Sequence, residues 1–171
     1  MRNSSGRRRL PEIICNTSPL QYLYQLGALE LLHTLAGRII VPSAVVAELE
    51  AGRNLGMDLP DIATFEWVTI HSPAKPMALP LAIELGPGET EVLILALESP
   101  GAVVVLDDSL ARFAAEKIGI NLTGTLGILR DAKRSGLITQ LSPLLDRLQD
   151  LGFRLSYQTR QTILRLADEL S

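Results

Sequence analysis

Leu85 to Arg112 reads LGPGETEVLILALESPGAVVVLDDSLAR, and the fold turns on this stretch. Glu89 to Glu98 is an apolar helix pattern opened by acids, Pro100-Gly101 breaks it, and Ala102 to Leu106 then runs straight into Asp107 and Asp108. A short β-branched run bounded by turn residues predicts a strand buried on both faces, inside a parallel sheet covered by helices. Ligands in such sheets bind outside the carboxyl ends of the strands, which puts Asp107 and Asp108 where sites are built. Glu89 and Glu91 stand in the first turns of the preceding helix, where the macrodipole favours anions. Acids converging from the two segments would repel one another unless a divalent cation lay between them.

Outward from this stretch the same alternation recurs. Pro11 to Cys15 (PEIIC) predicts a first buried strand, ended by Asn16-Thr17-Ser18-Pro19. Ser18 before Pro19 reads as an N-cap with proline at the first helical position, and a helix is expected from there to about Leu35, weakened at Gly27. Arg38 to Val41 predicts a second strand. Pro42 to Gly52 predicts a helix ended by that glycine, with Val45, Val46 and Leu49 inward and Glu48 near the rim of that face. Trp67 to His71 alternates like a strand, and Ser72 to Pro80, with three prolines, is a surface connection. Ser109 to Lys117 reads as a helix closed by Gly119, Ile120 to Leu122 as a strand, and Thr125 to Arg134 as a helix closed by Gly136. Leu144, Leu145, Leu148 and Leu151 form one apolar stripe stopped by Gly152; Ile163, Leu166, Ala167 and Leu170 form another. The alternation predicts a three-layer α/β/α sandwich with a mainly parallel central sheet. It also makes the ends of the first strand and of the Val103 to Leu106 strand comparable, so Asn16 joins Asp107 and Asp108 on one rim.

Size and charge narrow the classes. The 171 residues, 47% of them hydrophobic, predict one domain over 11–171 behind a disordered basic leader at 1–10. The longest apolar run, Val92 to Leu97, is far short of the ~20 residues of a membrane span. Cys15 is the only cysteine, which excludes an internal disulfide or a cysteine-based zinc site and fits a cytoplasmic protein. Residues 1–9 hold four of the 16 basic residues and no acid, leaving 12 against 19 acids, a net of -7, in the rest of the chain. So acidic a body does not hold nucleic acid by overall charge; metal ions or a local basic patch are needed.

In chain order the polar residues at matching structural positions are Asn16 after the first strand, Glu48 in the second helix, Glu91 at a helix start, and Asp107 or Asp108 after a strand. The chain resembles the PIN-domain superfamily, and in particular a prokaryotic branch of PIN-like nucleic-acid-binding proteins. The resemblance is carried by CNTSPLQYL (15–23), VPSAVVAELEAG (41–52), LGPGETEVLILALE (85–98), VVVLDDSLAR (103–112), LTGTLGILRDAKRSGLI (122–138) and GFRLSYQTRQTIL (152–164). It implies a metal-dependent ribonuclease fold in which Glu48, Glu91 and one of Asp107 or Asp108 are catalytic, metal-binding acids, with Asn16 as a further ligand. Thr17 and Ser18 match the family's small hydroxyl residues and, with Arg130, are candidate substrate contacts. The implied cofactor is Mg²⁺ or Mn²⁺. The implied partners are single-stranded or structured RNA, a small antitoxin protein if the chain is the toxin of such a pair, and a second copy in a homodimer, with no membrane. One position departs from the family pattern: the first acid is usually Asp, and here it is Asn16. An amide oxygen can ligate a cation but brings no charge and cannot accept a proton as a base. A weakened or inactive module that binds RNA or a protein is therefore the alternative reading.

Plainer readings stand beside these. Asp108 or Ser109 can cap the following helix, Glu91 can complement a helix dipole, and Arg130, Lys133 and Arg134 can be a solvated face. Gly86 to Glu89 is no phosphate loop, because it lacks the lysine and puts an acid where phosphate would go. A nucleotide-binding α/β protein is disfavoured for the same reason.

Overall fold

The computed structural model describes residues 11–75 and 78–170; the basic leader expected at 1–10 lies outside the described residues. Among the described residues five strands form one sheet in the order β3-β2-β1-β4-β5: β1 (Ile13–Cys15), β2 (Ile39–Pro42), β3 (Val68–His71), β4 (Val103–Val105) and β5 (Asn121–Thr123). Every pairing is parallel, with Ile13 opposite both Ile39 and Val103 and Val105 opposite Thr123. All three residues of β1, the middle strand, are fully buried. This is the continuous apolar run that a strand covered on both faces requires. The fold is thus the three-layer α/β/α sandwich expected from the alternation.

Among the described residues the α-helices are α1 (Thr17–Gln25), α2 (Glu30–Ala36), α3 (Ser43–Asn54), α4 (Pro87–Glu98), α5 (Ser109–Lys117), α6 (Thr125–Arg134), α7 (Ser142–Asp150) and α8 (Tyr157–Leu166). Helix α4 buries Val92, Leu93, Ile94, Leu95 and Ala96 in succession. A helix apolar on every side must be surrounded, and α4 packs on β1, β2, β4 and α3. It starts two residues earlier than its acids suggest, with Pro87 in the first turn, where a missing N–H costs nothing.

Four expectations need correction. The helix foreseen from Ser18 to Leu35 is two helices, because Gly27 adopts φ +69° and turns the chain between them. Its first helix opens at Thr17, with Asn16 rather than Ser18 at the N-cap position. Gly52 does not end α3, which runs on to Asn54; Gly52 is buried against Leu59, whose Cδ1 leaves no room for a β-carbon there. On α8 the inward residues are Ile163 and Leu164, whereas Leu166 is 49% exposed.

The C-terminal segment is tied down by Glu169. Its carboxylate accepts hydrogen bonds from the Leu141 and Ser142 amides at the start of α7, the latter at 3.0 Å, and lies 3.6 Å from Lys133 Nζ. Burial disfavours its charge, but the two amides and Lys133 outweigh that and hold the carboxyl below the usual glutamate range. A folded-state pKa below the unfolded value contributes stability that is present above the ordinary glutamate range and is lost as pH falls through the depressed value. Glu169→Ala should therefore cost about 1 kcal/mol in denaturant unfolding at neutral pH. The difference from wild type should shrink as the pH is lowered through the carboxylate range; a constant difference would show that the charge plays no part.

Candidate active site at the strand ends

Strand order reverses between β1 and β4, the position where an open parallel sheet leaves a crevice. β1 delivers Asn16 to this point and β4 delivers Asp107. Asn16 is 3% exposed, its amide donates to Val105 O at 3.2 Å, and its side-chain Oδ1 is buried with no hydrogen-bond partner. An orphaned buried acceptor costs roughly 1–3 kcal/mol, so its retention calls for an explanation.

Asp107 holds β4 to the start of α6. Its Oδ1 accepts from the Thr125 amide at 2.8 Å and its Oδ2 from Thr125 Oγ1 at 2.6 Å, which satisfies a first-turn donor of that helix. Burial pushes the Asp107 carboxyl up from its ordinary value, against the lowering effect of the two Thr125 bonds and of nearby Arg112. Cys15 is raised well above its usual range, chiefly by its own burial and also by the Asp107 charge, which makes it an inert core residue. Asp108 points another way: it is exposed, and its Oδ1 caps α5 by accepting from the Ala111 amide at 2.9 Å. The plain capping reading of Asp108 therefore holds.

Glu48 and Glu91 are held by each other's helices. Glu48, on α3, accepts from the Gly88 amide at the start of α4 at 2.9 Å, and from Thr17 Oγ1 at the start of α1. Glu91, on α4, accepts from the Ala44 amide at the start of α3 at 2.8 Å. Side chains on a helix lean toward its N-terminus, so two helices that begin side by side can each cap the other in this way. The Thr17 contact also brings Glu48 to the residue next to Asn16.

The Mg²⁺ or Mn²⁺ expected from the sequence can be tested against these donors. Asn16 Oδ1, the Glu48 carboxylate and the Asp107 carboxylate are hard oxygens of the kind such ions take. A cation would give the orphaned Oδ1 a partner. In kind, the residues fit. In arrangement they are not gathered: among the described residues no three Asp, Glu, His or Cys side chains are placed to hold one metal ion, and Glu48, Glu91, Asp107 and Asp108 each accept from a protein N–H.

Of the other residues, Thr17 contacts Glu48, Ser18 is half-buried on α1, and Arg130 is paired with Asp131 at 2.8 Å. The basic face expected on α6 is divided, since Lys133 turns to Glu169 and to Thr139 O while Arg134 is exposed. Sequence reasoning missed Gly88 and Arg112. Arg112 Nη1 donates to Leu106 O at 2.8 Å, and its place four residues after Asp108 was the available signal.

Gly88 is required by contact: a β-carbon there would meet Glu48 Oε2 at 2.6 Å and Oε1 at 2.8 Å. In an exposed helix Gly→Ala gains up to about 1 kcal/mol. Gly88→Ala should instead lose about 1–3 kcal/mol in thermal or denaturant unfolding, because Glu48 must leave its two donors. A stabilised variant would show that the Glu48 contacts carry no weight.

Known proteins can now be set beside this geometry. A family model described as a PIN domain matches residues 12–169. Comparison with curated proteins finds no match. Among solved structures the chain is similar to the PIN domain endonuclease Utp24, with a TM-score of 0.50 and 19% identity over 66% of this chain and 84% of that one, a likeness of fold. The all-parallel sheet with its reversal between β1 and β4, and a family match spanning nearly the whole described chain, lead to one conclusion: this chain belongs to the PIN-domain family and has its nuclease-type fold.

Proposed function

We propose that this chain is a divalent-metal-dependent endoribonuclease that hydrolyses phosphodiester bonds of single-stranded RNA at the β1–β4 rim. The observation that carries this reading is the buried, partnerless Oδ1 of Asn16, set at the strand reversal where Thr17 donates to Glu48 and β4 runs on toward Asp107. Asn16, Glu48, Glu91 and Asp107 would hold Mg²⁺ or Mn²⁺, Asp108 being turned away to cap α5. A bound ion of this kind supplies an activated water, a neutralised phosphoryl group and a stabilised leaving oxygen. Asn16 cannot take a proton, so the base lies among the three carboxylates Glu48, Glu91 and Asp107. Thr17 and Ser18 stand at the α1 start, where hydroxyls can meet a phosphate, and the similar solved structure, being that of an endonuclease, supports the same chemistry. In the cell the reading extends to a cytoplasmic toxin held by a small antitoxin, acting as a homodimer. Among the described residues no helix is long and apolar enough to cross a membrane.

A second reading, a catalytically weakened PIN-like module that binds RNA or a protein, is favoured by a different observation. Each of the four acids is already hydrogen-bonded, and no three of them gather.

Asn16→Asp separates the two. At 3% exposure a new carboxylate would be buried beside other acids, so in EDTA the variant should lose about 2–4 kcal/mol of stability. Mn²⁺ should restore it, since a ligand bound only by the folded state raises stability by mass action. Cleavage of a labelled single-stranded RNA should rise in the variant and disappear in Glu48→Gln. An equal Mn²⁺-induced shift in melting temperature for wild type and Asn16→Asp would mean that residue 16 does not face the acids, and the second reading would stand.

A further inference from the structure

A cleft of about 590 Å³ lies along β5, between α5, α6 and α8, on the far side of Asp107 from Glu48 and Glu91 in strand order. Its size falls within the ~300–1,000 Å³ of ordinary ligand sites. Three arginines line it: Arg112 from α5, Arg130 from α6, and Arg154 from the segment before α8. They stand in a chain whose net charge is -3, so the cleft is a local reversal of sign. Its two acids are occupied, Asp131 by Arg130 at 2.8 Å and Asp107 by both Thr125 donors. Arg112 spends one of its five N–H donors on Leu106 O. Arg154 is exposed and has no hydrogen bond or ion pair among the described residues. Arg154 is therefore left without a partner, and Arg112, whose charge already faces Asp107, keeps N–H donors that an entering anion can use.

Two further features bear on what that anion is. Phe153, beside Arg154, lines the cleft with its ring edge-on to Tyr22 at 5.1 Å, which holds the ring in place. Arginine forks beside a fixed aromatic ring are what single-stranded nucleic acid uses, phosphates on the guanidinium groups and a base on the ring. Asp107 belongs both to this cleft and to the strand-end site, and Gly124 leaves the room for it: a β-carbon there would lie 2.9 Å from both Arg112 Nη1 and Asp107 Oδ1. The cleft thus shares Asp107 with the β1–β4 rim.

We infer that this cleft is the track for an RNA strand leading to the strand-end site, with backbone phosphates on Arg112 and Arg154 and a base against Phe153. The inference rests on the nuclease-site reading for the direction of the strand, but not for the binding itself. β5 also has an unpaired outer edge among the described residues, which an acidic peptide could use by strand addition. The arginines and the ring favour RNA over that occupant.

The test is binding without cleavage: fluorescence anisotropy of a labelled ten-nucleotide oligouridylate on the full chain in EDTA, at several salt concentrations. Arg154→Glu should weaken binding about tenfold and reduce the slope of log affinity against log salt by roughly 0.7 for each phosphate that no longer meets a guanidinium group. Arg134→Glu reverses an exposed charge on α6 outside the cleft and should change affinity less than about twofold, and both variants should melt like wild type because both residues are exposed. Equal losses in the two variants, or no binding by wild type, would overturn the inference. So would a poly-glutamate peptide that competes as well as RNA with the same dependence on Arg154, which would make the cleft a peptide site. Because no metal is present, intact RNA binding in a protein that fails to cleave with Mn²⁺ would sink the nuclease reading and leave the track standing.

Discussion

Helices α3 and α4 begin side by side, and each needs acceptors for the amides of its first turn. Glu48 serves Gly88 and Glu91 serves Ala44, an exchange in which each helix satisfies the other. Much else depends on it, because α4 buries five successive apolar residues against β1, β2 and β4, and its other anchor, Glu98 on the Ala74 amide, lies at the far end of the helix. Hydrophobic contact is non-directional and tolerates sliding, whereas a carboxylate on a backbone N–H sets position along the helix axis. The same placement puts negative charge at two positive helix ends. Two acids that resemblance assigns to a metal site thus also have a structural task.

The strand reversal imposes the second constraint. β1 and β4 both end in the crevice, one in Asn16, which is buried, and the other in Asp107, which is half-buried. Burial already raises the Asp107 carboxyl despite three favourable partners. A second carboxylate at position 16 would add a like charge to a site that solvates the first one poorly. Asparagine keeps an oxygen in the crevice at the smaller cost of one unpaired acceptor. On the proposed metal reading, residue 16 would be where charge for a cation is exchanged against stability without one.

Most elements were legible because they rest on local chemistry. Helices α5 and α6 occupy the residues expected from their periodicity and terminal glycines, and Gly119 takes the left-handed conformation, φ +76°, that such a stop requires. The Asp108 cap is a bond spanning three residues. What could not be read locally depends on distant partners. Gly52 looks like a helix stop and is instead a contact point for Leu59; Glu91 looks like a dipole acid and reaches Ala44, 47 residues away. The residues of the strand-end site could be nominated from their order, but whether their oxygens point at one another or at helix amides is a matter of tertiary packing. Of the β5 cleft only Arg130 and Asp107 could be nominated, since residues from Val103 to Ile163 must be folded together to form it.

The junction of β1 and α1 joins these constraints. Thr17 follows Asn16 directly and donates its hydroxyl to Glu48, so the rim of the sheet and the paired helices meet through two consecutive residues. A cation on Asn16 Oδ1 would draw on the Glu48 carboxylate and compete for it with Thr17 and with the Gly88 amide. Its affinity would then be set by more than the number of carboxylates. The bonds that seat α4 must be weakened to release a ligand, and binding would be coupled to the start of the helix that the core is built around. Family membership settles the fold, but the balance between these bonds and a cation is a property of the particular residues at positions 16, 17, 48 and 88.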